Sequence, residues 1–358
     1  MRISTSLLNG ITWDRAERGS ERNFKAADLP GFRGLSEVNR LADDIYLVAE
    51  DRLSFPLPVL AYYGTGRGVF ENPMRRRNFK KMFPRLDGYD ECLASKVDFR
   101  SFFQWFHYME KLENRKIVEF KDFDYQLPVL AAVREAMEGV LPGLRNPRTA
   151  LAPLRFLMDY DSPRGTIEQR IEQLSDGYRI VIAMVMDMAA KMAELNPDSP
   201  RILETSGVVM IDEIDLHLHP SWQQKILHDL RKTFPNVQFI VTTHSPQVLT
   251  SVDARSIRIV GEDSIESPSV NTLGEKSGAV LSSIFSVSEW PPEEVADNLR
   301  LLNEYRTLVS SGAYDTQEAL KLRAALDEVY GHSHEELVRC DLYQKRLKFL
   351  KEKKKGEM

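Results

Sequence analysis

Two short apolar runs, VVMI ending at Ile211 and FIV ending at Val241, each stop abruptly at polar residues, Asp212-Glu213 after the first and Thr242-Thr243-His244-Ser245 after the second. Runs of that length bounded by polar turns predict buried strands. Between them, the segment from about Pro220 to Thr233 has a helical period, and alternating strand and helix predicts a parallel sheet with crossover helices. LPVLAYYGTGR, from Leu57, predicts another buried strand, which breaks into a glycine turn. SEVNRLADDIYLVAED has apolar residues at helical spacing, and so does EQLSDGYRIVIAMVMDMAAKMAEL, whose methionines are expected to fill a core.

The pattern changes along the chain and suggests four parts. Residues 1–71 carry the first strand, and 72–163, which are basic (MRRRNFKK), aromatic (FRSFFQWFHYMEKL) and mainly helical in period, read as an insertion. Residues 164–290 hold the remaining strands and their polar ends. Residues 291–358 are helical throughout and finish in KRLKFLKEKKKGEM, a tail expected to fray and be solvated.

With 358 residues the chain can bury a sizeable core, and a formal charge of -5 argues against nucleic-acid binding by the whole surface, though MRRRNFKK could track a phosphate backbone of DNA or RNA. Cys92 and Cys340 lie far apart without metal-ligand spacing, so neither a disulfide framework nor a zinc site is expected, and a reducing cytoplasm fits best. The start lacks the order of a signal peptide, and IVIAMVMDMAAKMA carries Asp187 and Lys191 within too short a span to cross a bilayer. No membrane segment is expected.

The polar strand ends carry the candidate chemistry. In a parallel α/β sheet ligands sit beyond the carboxyl ends of the strands, where Asp212-Glu213 and Thr243-His244-Ser245 would both fall. An Asp closing such a strand suits Mg²⁺, and the following Glu can orient or deprotonate an attacking water. His244 could touch a terminal phosphate. LSDGYR adds a Ser and a Gly opening a helix, whose free N–H groups and dipole favour an anion. His217, His219 and His228 raise a metal site only weakly, because Pro220 opens a helix just after the first two.

Together these stretches resemble the ABC-type ATPases. LSDGYR looks like their signature motif, VVMIDE like Walker B, Leu218–Pro220 like the D-loop and TTHSP like the switch-histidine loop. DEIDLHLHPSWQ and LPVLAYYGTGR are similar to the SMC/RecF/OLD-like branch, in particular to bacterial AAA-family ATPases that include Septu-type and retron-associated defence ATPases. The resemblance implies an α/β, P-loop NTPase-like sheet with a helical insertion and a C-terminal helical extension. It implies ATP and Mg²⁺ as cofactors and a homo-oligomer in which two heads sandwich ATP, acting with a nuclease or toxin partner in phage defence or DNA maintenance. By the same resemblance Asp212 binds Mg²⁺, Glu213 is the catalytic base and His244 senses the γ-phosphate. Ser175, Asp176 and Gly177 serve nucleotide held by another head, and Arg67 reaches nucleotide from a Q-loop equivalent. The signature residues are accordingly expected to be exposed and far from the Asp212 cleft.

One departure stands out. No G-x-x-x-x-G-K-[ST] occurs: GTGRGVFE lacks the Lys, and GEKSG lacks the first Gly. The resemblance puts that phosphate loop many tens of residues ahead of the YYGTGR strand, so the chain is expected to begin downstream of it. A gap is then expected beside the strand that precedes Asp212. Hydrolysis by the chain alone should be weak, and a non-hydrolysing module that pairs with a complete head is the alternative.

Overall fold

Tyr63, Ile211 and Val241 close three adjacent parallel strands in one register, and most of the first part of the chain packs around them. The structure is a computed structural model that describes residues 2–6, 12–16, 31–51, 55–68, 83–95, 99–151, 154–262, 264–288, 290–292 and 296–356. MRRRNFKK lies outside the described residues.

In chain order, β1 (Arg2–Ser6) and β2 (Thr12–Ala16) pair antiparallel, and α1 (Ser36–Asp51) leads to β3 (Val59–Tyr63). Then come α2 (Phe99–Phe120), α3 (Pro128–Val140), an antiparallel sheet of β4 (Leu144–Leu151), β5 (Leu154–Ser162) and β6 (Gly165–Arg170), and the long α4 (Asp176–Leu195). β7 (Gly207–Ile211), α5 (Pro220–Gln223), α6 (Ile226–Thr233), β8 (Val237–Val241) and α7 (Pro246–Leu249) follow. A short antiparallel pair, β9 (Ile259–Val260) and β10 (Ile265–Glu266), precedes α8 (Ser277–Ile284), α9 (Asp297–Ser310), α10 (Gln317–Tyr330) and α11 (Glu335–Gly356).

The parallel sheet has the order β3-β7-β8. β7 is therefore the central strand, paired on both sides. The expected gap beside it is absent, and the open edges among the described residues belong to β3 and β8. The sheet is also buried more on one face than the other, whereas the apolar runs predicted strands buried on both. Val59, Ala61, Tyr63, Val209 and Ile211 face the core, while Leu60 is 38% and Ile240 52% exposed on the opposite face.

α4 is apolar on nearly every side because it runs through the core, with Met184, Met186, Met188 and Met192 all buried. α2 lays Phe99, Phe102, Phe103 and Phe106 around Phe156 of β5, with ring centroids 5.3–6.1 Å apart. In the stretch 72–163 the helices α2 and α3 outweigh the strands, but the stretch is not self-contained. It supplies β4 and β5, its boundary at 163/164 cuts the β5–β6 hairpin, and its helices pack on α3 and α4 within one unit, Met1–Ser277.

The second unit, Gly278–Met358, starts before the expected boundary at 290/291. There α9, α10 and α11 enclose Leu302, Tyr305, Leu326 and Leu337. Thr316 caps α10 by accepting from Ala319 N at 3.2 Å. α11 remains helical to Gly356, where fraying was expected. Among the described residues no helix is long and apolar enough to cross a membrane.

Where α2 meets β4, Glu110 accepts from Thr149 N at 3.0 Å and from the Thr149 hydroxyl, and His107 Nδ1 lies 2.8 Å from the same hydroxyl. Burial raises the Glu110 pKa to about 7, against the lowering effect of the Thr149 hydrogen bonds and the Arg134 charge. The folded chain therefore binds more protons here than the unfolded chain between the ordinary carboxylate range and about 7. Stability from this group should fall as pH rises through that window, and Glu110→Gln should flatten the fall in urea titrations.

Candidate functional site

Sheet pairing continues one residue past the strands: Asp212 N donates to Tyr63 O at 2.8 Å, Thr242 N to Ile211 O at 3.0 Å and Ile214 N to Thr242 O at 3.1 Å. This extension brings Asp212, Glu213 and Thr242 side by side at the carboxyl edge. The Thr242 hydroxyl donates to Asp212 Oδ1 at 2.5 Å and accepts from Glu213 N at 2.8 Å. One hydroxyl thus fixes both the Asp212 carboxylate and the Glu213 backbone. The Thr243 hydroxyl donates to Asp215, and Ser245 Oγ donates to Gln223 Oε1 at 2.7 Å, so the two polar strand ends are laced together. His244 is exposed in the same β8 loop.

Glu213 and His217 have φ of +46° and +63°, left-handed conformations uncommon outside glycine. Such outliers persist only where neighbours hold them. For Glu213 one such neighbour is Arg67, which is 2% exposed and donates to Gly64 O at 3.0 Å, to Glu213 O at 2.5 Å and to Asp212 O. Burial lowers the Arg67 pKa, while the nearby Asp212, Asp215 and Glu213 work the other way. The expected nucleotide contact for Arg67 is corrected, because its guanidinium is turned inward onto backbone carbonyls.

At the start of α4, Ser175 is exposed and its hydroxyl does not cap the helix. Asp176 is exposed too, but its carboxylate is held by Arg179, whose hydrogen bond and charge lower its pKa. Gly177 is buried. A Cβ there would sit 2.5 Å from His217 O, so glycine is needed for α4 to meet the turn that follows Glu213. Tyr178 packs edge-on against Trp222 of α5, with centroids 4.1 Å apart. The signature segment therefore abuts the turn at His217 and Leu218, and the expectation that Gly177 is exposed is corrected.

Gly177→Ala should lower the melting temperature, because alanine's advantage in a helix of about 1 kcal/mol is opposed by a backbone clash. A higher melting temperature would show that the turn yields without cost.

The helix expected from Pro220 to Thr233 is two, α5 and α6, broken at Gln224-Lys225. His219 caps the first, its Nδ1 accepting from Ser221 N at 3.3 Å. Among the described residues no group of three or more His, Cys, Asp or Glu could hold a metal ion.

Thr242, Thr243 and Asp215 were given no individual role from the sequence. Their signal was the TTHSP and DEID spelling itself, in which hydroxyls and carboxylates end neighbouring strands.

Residues 20–250 match a family model described as "AAA domain, putative AbiEii toxin, Type IV TA system". The chain is 30% identical over 392 aligned positions to "Retron Ec83 probable ATPase" of Escherichia coli, spanning 93% of this chain and 70% of that protein. Over 94 positions, 26% of this chain and 13% of the relative, it is 38% identical to "Septu protein PtuA" of Bacillus mycoides (strain KBAB4). The "SMC head domain from Thermotoga maritima" aligns with 41% of this chain and 44% of its own at 20% identity, with a TM-score of 0.26 too low to bear on the argument. The match over residues 20–250 and the likeness to the retron protein show that the chain belongs to the AAA-domain ATPase family.

Proposed function

We propose that this chain is the ATPase head of a retron- or Septu-type bacterial defence system, and that its Asp212–Glu213 edge supplies the metal-binding and water-activating half of a nucleotide site. The observation that carries the reading is the meeting of Asp212, Glu213 and Thr242 at the ends of two adjacent parallel strands. A bound Mg²⁺ would neutralise phosphate charge there. Asp212 would hold it, with the Thr242 hydroxyl keeping the carboxylate in one orientation. Glu213 would accept the proton of an attacking water, and His244, exposed in the neighbouring loop, would donate to the terminal phosphate.

The exposed Ser175 and the first turn of α4, whose N–H groups Ser175 does not cap, support a second role, toward nucleotide held by another copy of the chain. Gly177 serves that surface only through packing, and Asp176, engaged by Arg179, adds negative charge where an anion would sit. A nuclease or toxin partner is proposed from the resemblance to defence ATPases alone, and nucleic-acid contact would rest on MRRRNFKK.

No G-x-x-x-x-G-K-[ST] occurs in these residues, so the β- and γ-phosphates lack a backbone cradle and its Lys. Residues 1–358 alone should turn over MgATP near the background rate, and Glu213→Gln should change little. Turnover abolished by Glu213→Gln would show that these residues suffice and would overturn that division of labour.

The alternative, a non-hydrolysing module that pairs with a complete head, is favoured by the same missing loop together with the exposed Ser175. It predicts heterodimers with an ATP-bound head of the family, weakened by Ser175→Arg in light scattering; equal dimer fractions for both chains would count against it.

A further inference from the structure

Arg67 carries a charge into the protein, and among the described residues no carboxylate accepts a hydrogen bond from it. Its N–H groups go instead to three backbone carbonyls, those of Gly64, Asp212 and Glu213. Burying a charge is costly unless its donors are satisfied, so the arrangement needs a reason. Two of the carbonyls belong to consecutive residues. In an extended strand successive peptide groups alternate in direction, and one guanidinium cannot reach both. The left-handed φ of +46° at Glu213 breaks that alternation and lets the two converge on Arg67.

We infer that Arg67 is the positioning residue of the site: its planar fork, held in place by the turn after β3, selects the left-handed Glu213 backbone and so aims the Asp212 and Glu213 carboxylates. The functional half of this statement rests on the nucleotide reading of that turn.

β3 supplies the leverage. Arg67 N donates to Gly64 O at 3.2 Å, closing the short 3₁₀ turn Thr65–Gly68, so the register of β3 on β7 fixes where the guanidinium arrives. Thr242 holds the turn from the β8 side through Glu213 N, and Arg67 holds it from the β3 side through Glu213 O. The peptide groups on both sides of Glu213 are thereby pinned. A lysine offers one compact ammonium in place of a planar fork and cannot span the same carbonyls.

The test compares the full chain with Arg67→Lys and Arg67→Gln. Amide exchange is followed by NMR at Ile214, whose N–H ties the turn to Thr242 O, at Leu216 and Leu218, whose N–H groups bond within it, and at Val209 and Ile211 in β7. Binding of Mn²⁺ with and without ATP is followed by electron paramagnetic resonance.

Both variants should exchange about ten-fold faster at the three turn amides with β7 unchanged, and ATP-dependent Mn²⁺ binding should weaken by about ten-fold, with no rescue by lysine. An Arg67→Lys chain that matches wild type in both readouts would overturn the inference. So would exchange that rises equally across β3, β7 and β8, since that marks general loss of stability. If the wild-type chain shows no ATP-dependent Mn²⁺ binding, the nucleotide reading fails, and the turn amides alone decide whether Arg67 positions the backbone.

Discussion

Asp187→Ala is expected to lower the stability of the first unit by about 3–5 kcal/mol, the usual cost of removing one partner of a buried ion pair. Asp187 is 6% exposed in α4, accepts from Lys191 Nζ at 2.7 and 2.9 Å, and accepts from the Tyr63 hydroxyl at 2.9 Å. Its loss strands an ammonium and a phenol together beneath β3. Burial works to lower the Lys191 pKa, but the charge and hydrogen bonds of Asp187 outweigh it and the pKa is raised; Tyr63 is raised by burial first and then by Asp187. In both groups the folded chain holds its proton to higher pH than the unfolded chain. Their contribution is therefore full below the ordinary Tyr and Lys values and is lost as pH rises through the raised ones. Urea titrations should show that the variant is destabilised at neutral pH and has lost part of the alkaline fall. A loss below about 1 kcal/mol would show that Lys191 finds another partner.

Gly207→Val should be as damaging, for a steric reason. Gly207 stands opposite Val59 in the β3–β7 register, and a Cβ on it would lie 2.3 Å from both Val59 Cγ1 and Val59 O. One of those atoms is backbone, so β3 itself has to move. The expected cost exceeds the roughly 1–3 kcal/mol of ordinary overpacking, and it carries a second signature. Because β3 delivers Arg67 to the Asp212 turn, the displaced strand should loosen the amides of Ile214 and Leu216 even where the chain stays folded. A Gly207→Val chain with wild-type melting and wild-type amide exchange would show that the sheet spreads freely.

Much of this was legible from apolar spacing. α1 falls on the predicted SEVNRLADDIYLVAED, and the two strands before Asp212 and Thr242 end where the polar residues begin. The sheet β4–β6 was hidden because its strands mix charged and apolar residues, β6 is mostly exposed, and β4 contains Pro147, a residue disfavoured within strands. The register shift between Arg145 and Arg148 accommodates that proline as a local irregularity. The one-sided burial of the parallel sheet was hidden as well, since Leu60 and Ile240 look the same in sequence whether covered or not. Within the site, strand ends were readable from residue type. The direction of Arg67 was not, because a buried Arg that serves carbonyls and an exposed one that serves phosphate are spelled alike. Gly177 misled for a related reason: glycine that lets a ligand approach and glycine that lets a backbone approach leave the same mark.

In the proposed site, Asp212 places a divalent cation against nucleotide phosphate at the sheet edge. Mn²⁺ binding to residues 1–358, read by electron paramagnetic resonance with and without ATP, tests it most directly when wild type is compared with Asp212→Asn. The account predicts Mn²⁺ binding that tightens when ATP is added and weakens by about ten-fold or more in Asp212→Asn, because the remaining ligands are water and phosphate. Binding that ignores ATP, or that survives unchanged in Asp212→Asn, would contradict it.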